Sequence, residues 1–195
     1  MATADLYRFA GVSSWVALVA LVLSAIALAL FFGGAGQFWG PVNDAFVVVT
    51  AIALIPAVVA VSRVVGDAAA PWTGPLTVAT IAGLVLIAVG QTLLIVGRLS
   101  LDGSYVTGGI GVLPFLAWIV FTAVLGLGRG ILPASLGWFA VATIALIVVM
   151  SVVAAVTQGP LLWAAGIGLV VALSAWIAGL ATTFGSVAAT AASAA

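Results

Sequence analysis

What most limits this chain is the spacing of its formal charges. Arg8, Arg63, Arg98 and Arg129 with Asp5, Asp44, Asp67 and Asp102 are all it has, and uncharged stretches run between them at 9–43, 45–62, 68–97, 103–128 and 130–195. A helix needs about 20 mostly apolar residues to cross the hydrocarbon core, and a charge at its centre costs roughly 2.5–3.5 kcal/mol on insertion scales. Each of the first four windows therefore holds one span. The last is too long for one and is broken at Thr157-Gln158-Gly159-Pro160, where the proline suits the first position of a new helix. The expected fold is all-α: a polytopic transmembrane bundle forming one domain over residues 1–195. Its six spans fall at 12–32, 43–62, 76–97, 109–127, 134–156 and 161–183, and the Ala/Ser/Thr stretch 184–195 reads as a flexible tail.

Composition agrees. The chain is 66% hydrophobic and 4% charged, with a mean hydropathy of +1.49, against about 25% charged residues in soluble domains. That excludes a water-soluble globule and a disordered chain, and the scarcity of cations excludes a nucleic-acid partner. A lipid-spanning barrel needs alternating segments, whereas these runs are continuously apolar.

Missing residue types remove much chemistry. The chain has no Cys, His, Lys or Glu. Thiolate nucleophiles, disulfides, imidazole ligands and Schiff bases are therefore absent, and so is the commonest carboxylate of intramembrane metal sites. No catalytic group, metal site or definite cofactor is identifiable, so the expectation is a protein that is not an enzyme. A lipid or a lipophilic pigment or quinone is the class of small molecule that such a chain could hold.

Orientation follows arginine placement. With both termini in the cytoplasm, Arg8, Arg63 and Arg129 lie inside and only Arg98 outside, which favours an N-in, C-in protein of the cytoplasmic membrane. Trp15, Trp72 and Trp138 then fall at the inner boundary, and Trp39 and Trp163 at the outer one. Arg8 before an apolar run loosely imitates a secretory signal, but the run of about 20 residues exceeds a signal core of about 7–15. The first span is expected to be retained.

Most charges have a sequence neighbour of opposite sign. Asp5 and Arg8 are three apart, while Arg63 with Asp67 and Arg98 with Asp102 are four apart, spacings that share a helix face. These read as interfacial ion pairs, their arginines reaching the headgroups. Asp44 lacks such a neighbour. Asn43 before it is a candidate helix cap and Asp44 a complement to the positive helix end, or else an acid facing an outer vestibule.

Ser24, Thr50, Thr80, Thr92, Thr122, Thr143, Ser151 and Ser174 are expected to bond their own backbone carbonyls. Gln91 carries two donors and an acceptor and should reach another helix or a ligand. Trp118 and Trp176 fall well inside spans, either as packed rings or as a wall for a flat lipophilic ligand. Helices in lipid associate through close approach of small residues. Gly83, Gly90 and Gly97 recur at a period of seven, and Ala164, Gly168 and Ala172 at a period of four, with Gly179 on a nearby face. Pro56 and Pro114 are candidate kinks.

Leu6-Tyr7-Arg8-Phe9-Ala10-Gly11, Trp39-Gly40-Pro41-Val42-Asn43-Asp44 and Leu132-Pro133-Ala134-Ser135-Leu136-Gly137-Trp138 resemble segments of uncharacterised bacterial multi-pass membrane proteins of six or seven helices. The resemblance implies an integral membrane bundle and transfers no activity. The expected role is a non-catalytic accessory or structural subunit that contacts membrane lipids and other membrane-protein subunits. The alternative is a transporter or channel for a small neutral or apolar solute.

Overall fold

The computed structural model describes residues 3–66, 71–156 and 160–193. It comprises six α-helices: α1 (Thr3–Phe32), α2 (Trp39–Val65), α3 (Thr73–Ile95), α4 (Leu101–Ala123), α5 (Ala134–Val156) and α6 (Pro160–Ser193). A π-helical turn, Val124–Gly128, extends α4. Each of the six is long and apolar enough to cross a membrane. Helix is the form expected where no water competes, because it satisfies the backbone internally.

Successive helices pack on one another, and α6 packs back on α1, so the six close into a ring. Tyr7 stacks on Phe184 at one end of the α1–α6 pair (centroids 6.2 Å apart), and Phe32 meets the edge of Trp163 at the other (6.0 Å). The two helices are thus antiparallel, and both described ends of the chain lie on one face of the bundle. Arg8, Arg63 and Arg129 are at that end, and Arg98 is at the opposite one.

Several helices are longer than the sequence suggests. At 30 and 34 residues, α1 and α6 would run about 45 and 51 Å at 1.5 Å per residue. The chain beyond 183 continues α6 to Ser193 instead of forming a tail, because Phe184 is fully buried and Ala188 nearly so. The glycine-rich stretch from Asp102 to Gly109 is likewise the start of α4. Ser100 caps it, its Oγ accepting from the Gly103 N–H at 3.2 Å.

Gly97 is not part of the α3 seam. Its φ of +69° ends the helix: its N–H bonds the Leu94 carbonyl at 3.0 Å, and the next N–H, from Arg98, bonds Leu93 at 2.8 Å. This pair of hydrogen bonds, from the left-handed Gly97 and the residue after it, is a Schellman cap, which glycine adopts without a Cβ clash. Gly83 and Gly90 do face α4. A Cβ on Gly83 would collide with the Gly111 carbonyl and lie 2.7 Å from Pro114 Cγ, while one on Gly90 would meet the Thr107 hydroxyl. Thr80 ties the same helices, its hydroxyl donating to the Pro114 carbonyl at 3.2 Å as well as to its own Leu76 carbonyl.

On α6, Ala172 of the expected seam is buried, but Ala164 is exposed and its neighbour Ala165 is buried in its place. A Cβ on Gly168 would lie 3.5 Å from Leu146 and one on Gly179 2.9 Å from Leu136, so both face α5.

Gly83→Leu should separate α3 from α4 and lower stability by about 1–3 kcal/mol or more, the usual range for overpacking. Gly109→Ala, where a Cβ meets nothing within 4 Å, should be neutral or stabilise by up to ~1 kcal/mol. Thermal unfolding in mild detergent checks the contrast.

Candidate functional site

Polar and aromatic side chains gather in two places. The first is between α1 and α2, in the half of the bundle away from the chain ends. Ser24 donates to Asn43 Oδ1 at 2.7 Å, and Asn43 Nδ2 donates to Asp44 Oδ1 at 3.1 Å. Ser24 thus does not bond its own backbone as expected, because the amide oxygen of α2 competes across the helix contact. Asn43 does not cap α2 either. The helix begins at Trp39 after Phe38, which makes no side-chain cap bond, so Asn43 and Asp44 lie a full turn inside it. Asp44 is half-buried, held by Asn43.

Gln91, in the last two turns of α3, is half-buried. Its Oε1 is enclosed and has no hydrogen-bond partner among the described residues, so the expected bond from another helix to that oxygen is not formed.

The second gathering fills the half of the bundle nearer the chain ends. Trp118 of α4 and Trp176 of α6 are both fully buried and meet edge to face, 5.3 Å apart at 80°. Phe115 stacks on Trp118 and meets the edge of Trp176 at 6.0 Å. The Trp176 indole donates to the Thr122 hydroxyl at 3.1 Å, and that hydroxyl donates to the Ile119 carbonyl at 2.8 Å. Trp118 Nε1 has no hydrogen-bond partner among the described residues. Around these rings the fully buried Val58, Val61, Ile119, Ile177, Leu180 and Phe184 complete a filled core. The two tryptophans therefore pack on each other, and neither stands as a free wall of a cavity.

Most hydroxyls are spent locally. Thr50, Thr77, Thr92, Thr143 and Ser151 each donate to a carbonyl four residues back. The charges lie at the rim: Asp5, Arg8, Arg63, Arg98, Asp102 and Arg129 are all exposed. Asp5 and Arg8 share α1, but Arg98 sits in the turn after α3 and Asp102 in the first turn of α4. A helix boundary at Ser100 separates them, so they share no helix face. Asp67, the expected partner of Arg63, lies outside the described residues. Among the described residues no group of three or more metal-ligating side chains comes together.

Two grooves open on the outer surface, on either side of α1. One, of about 310 Å³, runs between α1 and α6 and is lined by Arg8, Gly11, Trp15, Ala181, Gly185 and Ala189 among others. The second, of about 410 Å³, lies between α1 and α2 and is wholly apolar, with Val16, Val19, Leu23, Phe46 and Val49 in its walls. Val12 and Trp15 border both. Sequence patterning does not find these grooves, because each depends on how α1 is rotated against a neighbour, and the α1–α6 groove is floored by small residues of a helix distant in sequence.

No family model, curated protein or solved structure matches this chain.

Trp176→Phe removes a satisfied buried donor and strands no charge, and it should cost about 1 kcal/mol for the lost bond beyond the change in ring size. Trp118→Phe deletes a donor without a protein partner and should cost less. Thr122→Val leaves the Trp176 N–H buried without an acceptor and should cost about 1–3 kcal/mol. Denaturation of the three variants in one detergent, followed by tryptophan fluorescence, ranks them.

Proposed function

We propose that this is a non-catalytic, multi-pass subunit of the cytoplasmic membrane of a prokaryote, acting through its outward faces on lipids and neighbouring membrane proteins. One observation carries this reading: the inner half of the helix ring is filled by the Trp118–Trp176–Phe115 cluster and its aliphatic surround. A path for solute through that half would have to displace close-packed rings. The polar inventory supports the same reading, since most hydroxyls along the spans are engaged with their own backbone. What remains available is the outside, where large apolar side chains such as Val19, Ile26, Ile110, Val148, Val152 and Ile167 are exposed on α1, α4, α5 and α6. Association there would rest on shape and close approach, because lipid provides no hydrophobic drive between helices.

The orientation consistent with this reading is N-in, C-in. It puts Arg8, Arg63 and Arg129 on the cytoplasmic side, as the excess of cations in cytoplasmic loops requires. Any bound cofactor would be lipophilic and would sit against these outer faces.

A second reading, passage of a small neutral or apolar solute, draws on the Ser24–Asn43–Asp44 chain and the unpartnered Gln91 oxygen in the opposite half of the bundle. Extraction of the native membrane in a mild detergent should bring the protein out with other membrane proteins, and it should be colourless or carry a lipophilic pigment. Isolation only as a free monomer across several gentle extractions counts against the subunit reading. In liposomes, solute flux that falls on Gln91→Leu would favour the second reading, and the subunit reading expects no flux.

A further inference from the structure

We propose that the α1 face is a binding site for an anionic phospholipid, with its phosphate on Arg8, its headgroup and glycerol end in the α1–α6 groove and an acyl chain in the α1–α2 groove beyond Val12 and Trp15. The proposal rests on the outward-acting reading above and names the ligand for one face.

The geometry is that of a headgroup and a tail. Arg8 is exposed on α1 at the end of the bundle that holds both chain ends, at the mouth of the α1–α6 groove. Trp15, 46% exposed, lies two turns deeper and borders both grooves, as does Val12. From this shared ridge the α1–α6 groove runs toward the chain ends, over Ala181, Gly11, Gly185, Ala188 and Ala189, and the α1–α2 groove runs the other way, along Val16, Val19 and Leu23 toward the middle of the span. The residues from Arg8 to Leu23 cover about 22 Å of helix, a length suited to a headgroup and an extended chain within one leaflet of the ~30 Å core.

Charge decides which lipid. The guanidinium is a planar fork matched to phosphate oxygens, and it also attracts a net anionic headgroup. Arg63, at the end of the neighbouring α2, adds cationic field on the same side of the bundle, while Asp5, one turn from Arg8 toward the helix end, opposes it. The rest of the site is built for hydrocarbon. The α1–α2 groove exposes no polar surface, and small residues floor the other so that the glycerol end can lie close to the helix backbones.

Native mass spectrometry of the full chain, released from detergent with added phosphatidylglycerol or phosphatidylcholine, tests the site. Wild type should retain phosphatidylglycerol with roughly threefold preference, because phosphatidylcholine offers the same phosphodiester but adds a cationic choline that the arginines repel, an effect on the scale of one exposed charge contact. Arg8→Gln should abolish the preference while still taking up either lipid, and Asp5→Asn should strengthen it. Arg98→Gln, at the opposite end, should change nothing. Gly185→Phe fills the α1–α6 groove at a position where a Cβ meets nothing within 4 Å, and it should reduce uptake of both lipids several-fold without lowering the Tm in lipid-free detergent. Equal retention of the two lipids by wild type, an unchanged preference in Arg8→Gln, or undiminished uptake by Gly185→Phe would each overturn the proposal. Because the readout is bound lipid, these outcomes stand whether or not a protein partner co-purifies.

Discussion

Helices in hydrocarbon gain nothing by hiding apolar surface from one another, so what holds this ring together is how near its backbones can come. The α3–α4 contact shows the constraint at its tightest. Gly83 and Gly111 face each other so closely that neither position has room for a Cβ, and the Thr80 hydroxyl then reaches the Pro114 carbonyl. Gly126, in the π-helical turn, meets the backbone of Gly137 in the same way, which joins α4 to α5. Remove the close approach and dispersion contacts along whole helix faces are lost, with no solvent effect to restore them.

The bundle is uneven from end to end. Near the chain ends aromatic rings and branched side chains fill the ring, and the Trp176–Thr122 bond orients α6 against α4. Toward the other end the interior contacts are more polar: Ser24, Asn43 and Asp44 form a short hydrogen-bonded chain, and Gln91 keeps an enclosed, unpartnered oxygen. A buried acceptor without a donor costs free energy. The other half carries the same kind of cost at the Trp118 indole N–H, which also has no hydrogen-bond partner among the described residues. The outer surface of α1 belongs to a different chemistry: an arginine beside one furrow of small residues, with a wholly apolar furrow further along the helix.

How much of this is legible in the sequence differs by level. The number of spans and the breaks between them follow from eight charges and a few Gly-Pro steps, because the cost of a charge in hydrocarbon is large and local. Helix ends were harder. Nothing in an apolar window says how far a helix continues past the bilayer, so α1 begins at Thr3 and α6 runs to Ser193. Gly97 illustrates a subtler limit: its spacing matches Gly83 and Gly90, but a glycine at a helix end serves as readily for a left-handed cap as for packing. The Arg98–Asp102 spacing misleads for the same reason, since the i,i+4 rule holds only where one helix spans both residues.

By itself the sequence determined an all-helical chain of six apolar spans, few polar groups within them, and arginines concentrated toward one side. Those are consequences of transfer free energies, which act residue by residue. Tertiary structure alone decided that α6 returns to α1, that Ser24 meets Asn43, that Trp118 and Trp176 meet edge to face, and that grooves flank Val12 and Trp15. Such contacts depend on helix rotation and tilt, which a uniformly apolar pattern leaves free and which only the fit of one helix surface into another can settle.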